Sequence, residues 1–165
     1  MSQYVFRNAK ICDVKNKVFA KKDIRVKDKL IDEISDSIAI SENDCVIDLN
    51  GKYLSQGWTD AHAHLYVNDG LGVPQDNMLY SGVTFAVDAG TAGPLNYHDF
   101  IESSLKKSRL PAKAYLNIAP YGASKQGSEL RDLSKVDVNS CVEAAKTFSD
   151  YVIGIKLSAK TPNVQ

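Results

Sequence analysis

Residues Gly57 to Leu65, GWTDAHAHL, place His62 and His64 one residue apart in a chain that holds only three histidines. Neutral imidazole is a common ligand for zinc and other divalent ions. On a helix, positions i and i+2 point away from one another, whereas on a strand they share a face. If the stretch is a strand, both rings look the same way and can hold one metal ion. The plain alternative is a strand end that carries two polar rings, and the pair alone does not decide.

Lys156, in the strand-like run YVIGIKLS, raises a related question. An ammonium beside a metal ion would be repelled, and both desolvation and a neighbouring cation favour the neutral amine. A neutral, buried amine can add carbon dioxide and become a carbamate, an anionic oxygen ligand able to bridge two divalent ions. His62 and His64 would then supply nitrogen to the more buried ion. Two ions roughly 3.5–4 Å apart would hold a bridging hydroxide and polarise a substrate carbonyl. The alternative for Lys156 is a side chain reaching over the strand end to solvent, or pairing with Asp88. Asp60 shares the parity of the histidines and is expected either to accept a hydrogen bond from one ring or the barrel wall, or to cap the strand end. Asp88 and Asn117 either line a substrate pocket or cap loops.

These residues need elements to carry them. After Gly57 the chain alternates strand and helix signals. WTDAHAHL is followed by a short helical stretch around Gln75 to Tyr80, then by the strand VTFAVDA. A helix from about Tyr97 to Lys107 and the strand AKAYLNIA come next, then the helix VNSCVEAAKTFSD and the strand YVIGIKLS. Strands alternating with helices imply parallel βαβ units. If four such strands line a barrel, Asp60, His62, His64, Asp88, Tyr115, Asn117, Gly154 and Lys156 point inward. Ala61, Ala63, Leu65, Val83, Phe85, Val87, Ala114, Leu116, Ile118, Ile153, Ile155 and Leu157 face the helices. Several of the inward polar groups sit at the C-terminal strand ends, where barrel active sites lie. The first fifty residues read differently, as short strands broken by turns at Lys27-Asp28 and Asn50-Gly51, forming small antiparallel sheets half exposed to water.

Composition sets the outer bounds. The 165 residues are 44% hydrophobic and 24% charged, with 20 acidic and 20 basic side chains. That balance gives no bias toward nucleic acid or anionic membrane. The N-terminus lacks the apolar core of a signal peptide, and no apolar run is long enough to span a bilayer. Cys12, Cys45 and Cys141 are scattered without a C-x-x-C, so free thiols and a cytoplasmic location are expected.

With these motifs together, the chain resembles the amidohydrolase superfamily of metal-dependent hydrolases over essentially its full length. NGKYLSQGWTDAHAHL is similar to that family's first barrel strand, with its Asp-x-His-x-His signature at Asp60, His62 and His64. VIGIKLS resembles the fourth strand, which carries the carbamylated bridging lysine, here Lys156. GVTFAVDAGTAGPLNYHDF, LNIAPYG and DYVIGIKLS look most like the deacetylase branch of the dihydroorotase- and deacetylase-type members.

The resemblance implies an α/β fold: residues 1–52 as part of a small β-sandwich, and 53–165 as the first four strands of a (β/α)8 TIM-type barrel. It implies hydrolysis of amide or ester bonds in small N-acyl or acyl-ester substrates, two divalent ions with zinc as first choice, a carbamate on Lys156, and a homo-oligomer. Gln56 stands where the family usually has proline. A complete barrel runs to roughly 250 residues or more; the family's further metal histidines, from strands five and six, and its catalytic aspartate, from strand eight, have no counterpart in these 165 residues. The chain is therefore expected to be an incomplete, inactive portion, with a non-catalytic amidohydrolase-like scaffold or oligomerisation module as the alternative. His98, at the start of a helix, is expected on the surface.

Overall fold

The β-branched and aromatic residues of the N-terminal fifty positions favour extended chain. The computed structural model, which describes residues 3–67, 70–123, 130 and 132–158, builds them into a five-stranded sheet. Its strands are β1 (Gln3–Asp13), β2 (Val18–Lys27), β3 (Leu30–Ser35), β4 (Asp44–Asp48) and β5 (Tyr53–Leu54). The order is β3-β2-β1-β4, with β5 also on β1. β1 with β2, and β2 with β3, are antiparallel hairpins. The second closes at Asp28 and Lys29, both in the left-handed region.

Against expectation, the sheet is mixed rather than purely antiparallel: β4 and β5 both run parallel to β1. Asn50 and Gly51, at φ 49° and 78°, do turn the chain. They do not fold it back on itself as a hairpin. The turn carries it from beside Val5–Arg7 to beside Lys10–Ile11, and Leu49, Gly51 and Lys52 bond to Arg7, Asn8 and Lys10 on the way. Apolar alternation tells which face of a strand is buried, but not which neighbour it pairs with.

β1 slips register between Phe6 and Ala9, with Asn8 at φ 55°. A bulge leaves a backbone donor without a ladder partner, and here Asp23 takes it. The buried Asp23 carboxylate accepts from the Asn8 N–H at 2.9 Å and the Ile38 N–H at 3.2 Å, and pairs with Arg7 at 3.6 Å.

Contacts divide the chain into two units, Met1–Gln56 and Gly57–Gln165. The division falls a little past the expected 52/53 because Tyr53–Leu54 is a strand of the first sheet. The second unit runs β6 (Trp58–Ala63), α1 (Gln75–Leu79), β7 (Val83–Asp88), α2 (Tyr97–Ser103), β8 (Ala112–Asn117), α3 (Val138–Thr147) and β9 (Val152–Lys156). The strands pair in sequence order, β6-β7-β8-β9, and every pairing is parallel.

Tyr97, Phe100 and Ile101 of α2 and Cys141 and Ala144 of α3 close over Ala63, Leu65, Ala86, Ala114 and Leu116. Each large side chain buried this way contributes roughly 1.5–3 kcal/mol. The α2 helix stops at Ser103, and a 3-10 turn, Leu105–Lys107, completes the stretch expected as one helix while keeping Leu105 buried. Asp137 caps α3, accepting from the N–H groups of Asn139 and Ser140. The apolar stripe of α3 is only partly covered: Val138 and Val142 stay exposed along an open groove of about 560 Å³ shared with Ile118 and Ile155.

β7 corrects the expected inside-outside alternation. Its pairing with β6 steps from Trp58↔Val83 to Thr59↔Phe85, which makes Thr84 a bulge residue. Gly57 makes room for it, since a Cβ there would lie 2.1 Å from the Thr84 Oγ1. The extra residue shifts the phase, so Ala86, and not Phe85 or Val87, joins the core under α2. Asp88 is in register with Ala114, a core residue, and therefore starts from the helix side of the sheet rather than from its inner face.

Candidate metal centre

His62 lies in β6 and His64 just beyond its end, and their ring centroids are 5.9 Å apart at 79°. Strict alternation does not produce this. The β6–β7 register slips again between Asp60 and Ala63, and Asp60 folds locally to accept the His62 N–H at 3.0 Å. Asp60 thus fastens the bulge on which His62 stands, and the contact is to backbone, not to an imidazole. Two rings sharing one tetrahedral ion through metal–nitrogen bonds of about 2.0–2.1 Å would have centroids about 5 Å apart. At 5.9 Å the pair stands somewhat wider than that, so the rings must close slightly to share a divalent cation. Among the described residues no group of three or more histidine, cysteine, aspartate or glutamate side chains gathers as a ready cluster.

Behind His64 stands a buried polar network. His64 Nδ1 lies 2.7 Å from the Thr91 Oγ1, and the Thr91 hydroxyl donates to Asp88 Oδ2 at 2.7 Å. Asp88 is fully buried and also accepts from the N–H groups of Leu65, Gly90 and Thr91 at 2.7, 2.9 and 2.7 Å. Charge with so many donors is a tolerable thing to bury. Burial lifts the Tyr97 hydroxyl above its usual range, and the negative charge of Asp88 adds to that. Thr91 is absent from the residues singled out by the sequence, although Asp88-x-Gly90-Thr91 carries the grammar of a side-chain-capped turn.

Lys156 ends β9, half-buried, in register with Asn117. It forms no ion pair with Asp88. Its side chain passes directly over Gly90: a Cβ on that glycine, which has φ 83°, would lie 2.6 Å from the Lys156 Cβ and Cγ. Asn117 is fully buried and ties the same loop, donating to the Gly90 carbonyl at 2.9 Å while accepting from the Ala119 N–H at 2.9 Å. Both ends of its amide are engaged by backbone, so Asn117 braces the loop.

The structure therefore joins His62 to His64, Asp88 to His64 through Thr91, and Lys156 to Asn117 through Gly90. The loops after β7 and β8 are seamed together. A Cβ on Gly93 would strike the Ala119 carbonyl oxygen at 1.8 Å, and one on Gly122 the Thr91 carbonyl oxygen at 2.3 Å. His98 is exposed on α2, its ring beside Phe148. The three cysteines are free, and burial pushes the Cys141 thiol up, away from the reactive thiolate. Among the described residues no helix is long and apolar enough to cross a membrane.

No family profile matches the chain. It is 36% identical over 118 residues to a deacetylase of Agrobacterium fabrum, a match covering 68% of this chain and 29% of that protein. It is 29% identical over 165 residues to a dihydroorotase of Bacillus cereus, covering 93% of this chain and 36% of the relative. Its fold superposes on the crystal structure of an adenine deaminase with a TM-score of 0.77 and 29% identity, covering 95% of this chain and 41% of the other. The chain spans about a third of the length of the curated relatives it matches. With curated homologues named deacetylase and dihydroorotase, and neighbours in fold that are hydrolases of the same kind, the chain is a homologue of the amidohydrolase-superfamily enzymes.

Proposed function

We propose that this chain supplies part of the metal centre of a divalent-metal hydrolase that cleaves amide or ester bonds in small N-acyl amino acids or related acyl esters. The observation that carries this reading is the His62–His64 pair, two neighbouring imidazoles with ring centroids 5.9 Å apart, backed by the Asp88–Thr91 network. The likeness to curated deacetylases supports the substrate class. In this reading β6 to β9 form the first four strands of a TIM-type barrel, after a strand segment belonging to a small β-sandwich.

His62 and His64 would hold the first ion, with zinc as the first choice. Lys156 would serve as a carbamate: a neutral amine adds carbon dioxide, a nitrogen–carbon bond forms as one carbon–oxygen π bond opens, one proton leaves, and a single negative charge shared by two oxygens would be available to divalent ions. Bound there, the metal supplies Lewis acidity to a carbonyl and to water. The protein's own work is to aim the imidazoles and to lay the Lys156 side chain across Gly90, on the loop where Thr91 meets His64. With His98 exposed on α2, these 165 residues offer only the one histidine pair. By themselves they are not expected to turn over substrate.

The test uses the full-length protein, with metal content measured by elemental analysis beside turnover of N-acyl amino acids. His62→Asn and His64→Asn should each lower occupancy and activity together, while His98→Asn leaves both nearly unchanged. Lys156→Ala should abolish activity and empty at least one position, and short-chain carboxylic acids should partly restore both. Lys156→Arg should not be rescued, because arginine stays charged and fills the space. Damage from His98→Asn alone, or a plain Lys156 amine turned away from the ions in a metal-loaded crystal, would overturn the reading.

A further inference from the structure

We propose that Asp88 and Thr91 are positioning residues that hold His64 in the tautomer protonated at Nδ1, leaving Nε2 bare for a divalent cation. Only the last step, the cation, rests on the function proposed above; the tautomer follows from hydrogen-bond direction alone.

Three of the four groups that reach Asp88 are backbone N–H groups, which can only donate: Gly90 and Thr91 to Oδ1, and Leu65 to Oδ2. Both carboxylate oxygens are thus engaged as acceptors, and a proton on either would crowd a donor already in place. The Thr91 hydroxyl, 2.7 Å from Oδ2, therefore spends its single proton on Asp88. What its oxygen has left to offer His64 is a lone pair. A nitrogen 2.7 Å from that lone pair has to be the donor, so Nδ1 carries the hydrogen.

The same carboxylate also fixes where the ring is attached. It accepts the N–H of Leu65, the residue that follows His64, while the His64 carbonyl accepts the Val73 N–H at 2.8 Å. Backbone and ring are thus set from one buried charge. Partners of this kind orient a metal-binding imidazole and raise its basicity, and their loss typically weakens metal affinity about 10–100-fold.

The experiment reads the tautomer directly. In metal-free, full-length protein with 15N-labelled histidine, at alkaline pH where the rings are neutral, two-bond nitrogen–proton couplings show which nitrogen is protonated; the signals lost in His64→Asn identify the ring. Wild type should show Nδ1–H at His64. Thr91→Val, which keeps the shape and removes the lone pair, should release the ring toward the Nε2–H form and weaken zinc binding about 10–100-fold. Thr91→Ser should restore both. An Nε2–H ring in wild type, or an Nδ1–H ring that survives Thr91→Val, overturns the proposal. If the valine variant does not fold, the wild-type ring and the serine variant still decide it. A wild-type ring of the expected tautomer in a protein that takes up no zinc leaves the relay standing and removes the metal reading instead.

Discussion

In each unit an aspartate is buried at an irregularity of the sheet, and the two are used in opposite ways. Asp23 answers the bulge in β1: it takes the N–H groups of Asn8 and Ile38, and Arg7 stands beside it. That network closes on a charge pair, Arg7 at 3.6 Å, without a hydrogen bond from the Arg7 Nε. Asp88 collects three N–H groups and a hydroxyl, and no cation of the described residues pairs with it. Its chain of hydrogen bonds runs on, through Thr91, to an imidazole. The first carboxylate finishes a piece of backbone, whereas the second passes an orientation to a side chain capable of chemistry.

Substitution can test how far that difference is energetic. Asp88→Ala would orphan three backbone donors in a dry site, at about 1 kcal/mol or more each, for a loss of roughly 3–5 kcal/mol. Asp23→Ala should cost roughly 1–3 kcal/mol, since Arg7 is partly exposed and recovers water. Trp58, the single tryptophan, opens β6 and reports on the second unit in urea unfolding; amide exchange at Asn8 and Ile38 reports on the first. Equal losses would show that open and closed networks are alike in strength and differ only in what lies at their ends.

A smaller contrast comes from two glycines of similar φ. Gly51, at 78°, has nothing within 4 Å of where a Cβ would sit, while Gly90, at 83°, has Lys156 there. Gly51→Ala should cost about 1–2 kcal/mol from backbone conformation alone. Gly90→Ala should cost roughly 2–4 kcal/mol, because the strand carrying Lys156 must also move. Thermal unfolding measures both, and matching values would mean that Lys156 yields freely.

The smallest expected effect is one of pH. Burial works to raise the Asp23 carboxyl, but hydrogen bonds from Asn8 and Ile38 and the charge of Arg7 outweigh it and hold the group below its usual value. A carboxyl depressed on folding stabilises the fold above its unfolded pKa, and that contribution fades as pH falls through the folded pKa. The stability gap between wild type and Asp23→Asn should therefore narrow on acidification below the ordinary carboxylate range. A gap that widens in acid would reverse the sign assigned to Asp23.

Much of this arrangement is legible in the sequence. The order of strands and helices after Gly57 follows from period and turn residues, and the histidine pair draws notice by its spacing. What escaped the sequence has identifiable causes. The bulge at Thr84 depends on the space left by Gly57, just ahead of a different strand, and no local pattern contains that fact. The same shift explains why Phe85 and Val87 read as helix-facing while Ala86 takes that place under α2. Thr91 lies past the end of β7, where side-chain period no longer applies. The parallel pairing of β4 and β5 with β1 is a choice of neighbour, and alternation is silent on neighbours.

The seam at Gly93 and Gly122 has a consequence for how this protein can diversify. The loops after β7 and β8 approach so closely at these glycines that each occupies the volume in which the other would have to grow. At this seam a bulkier residue at Gly93 or Gly122 could be accommodated only with a matching shift of the facing backbone, so the two positions constrain each other as one unit.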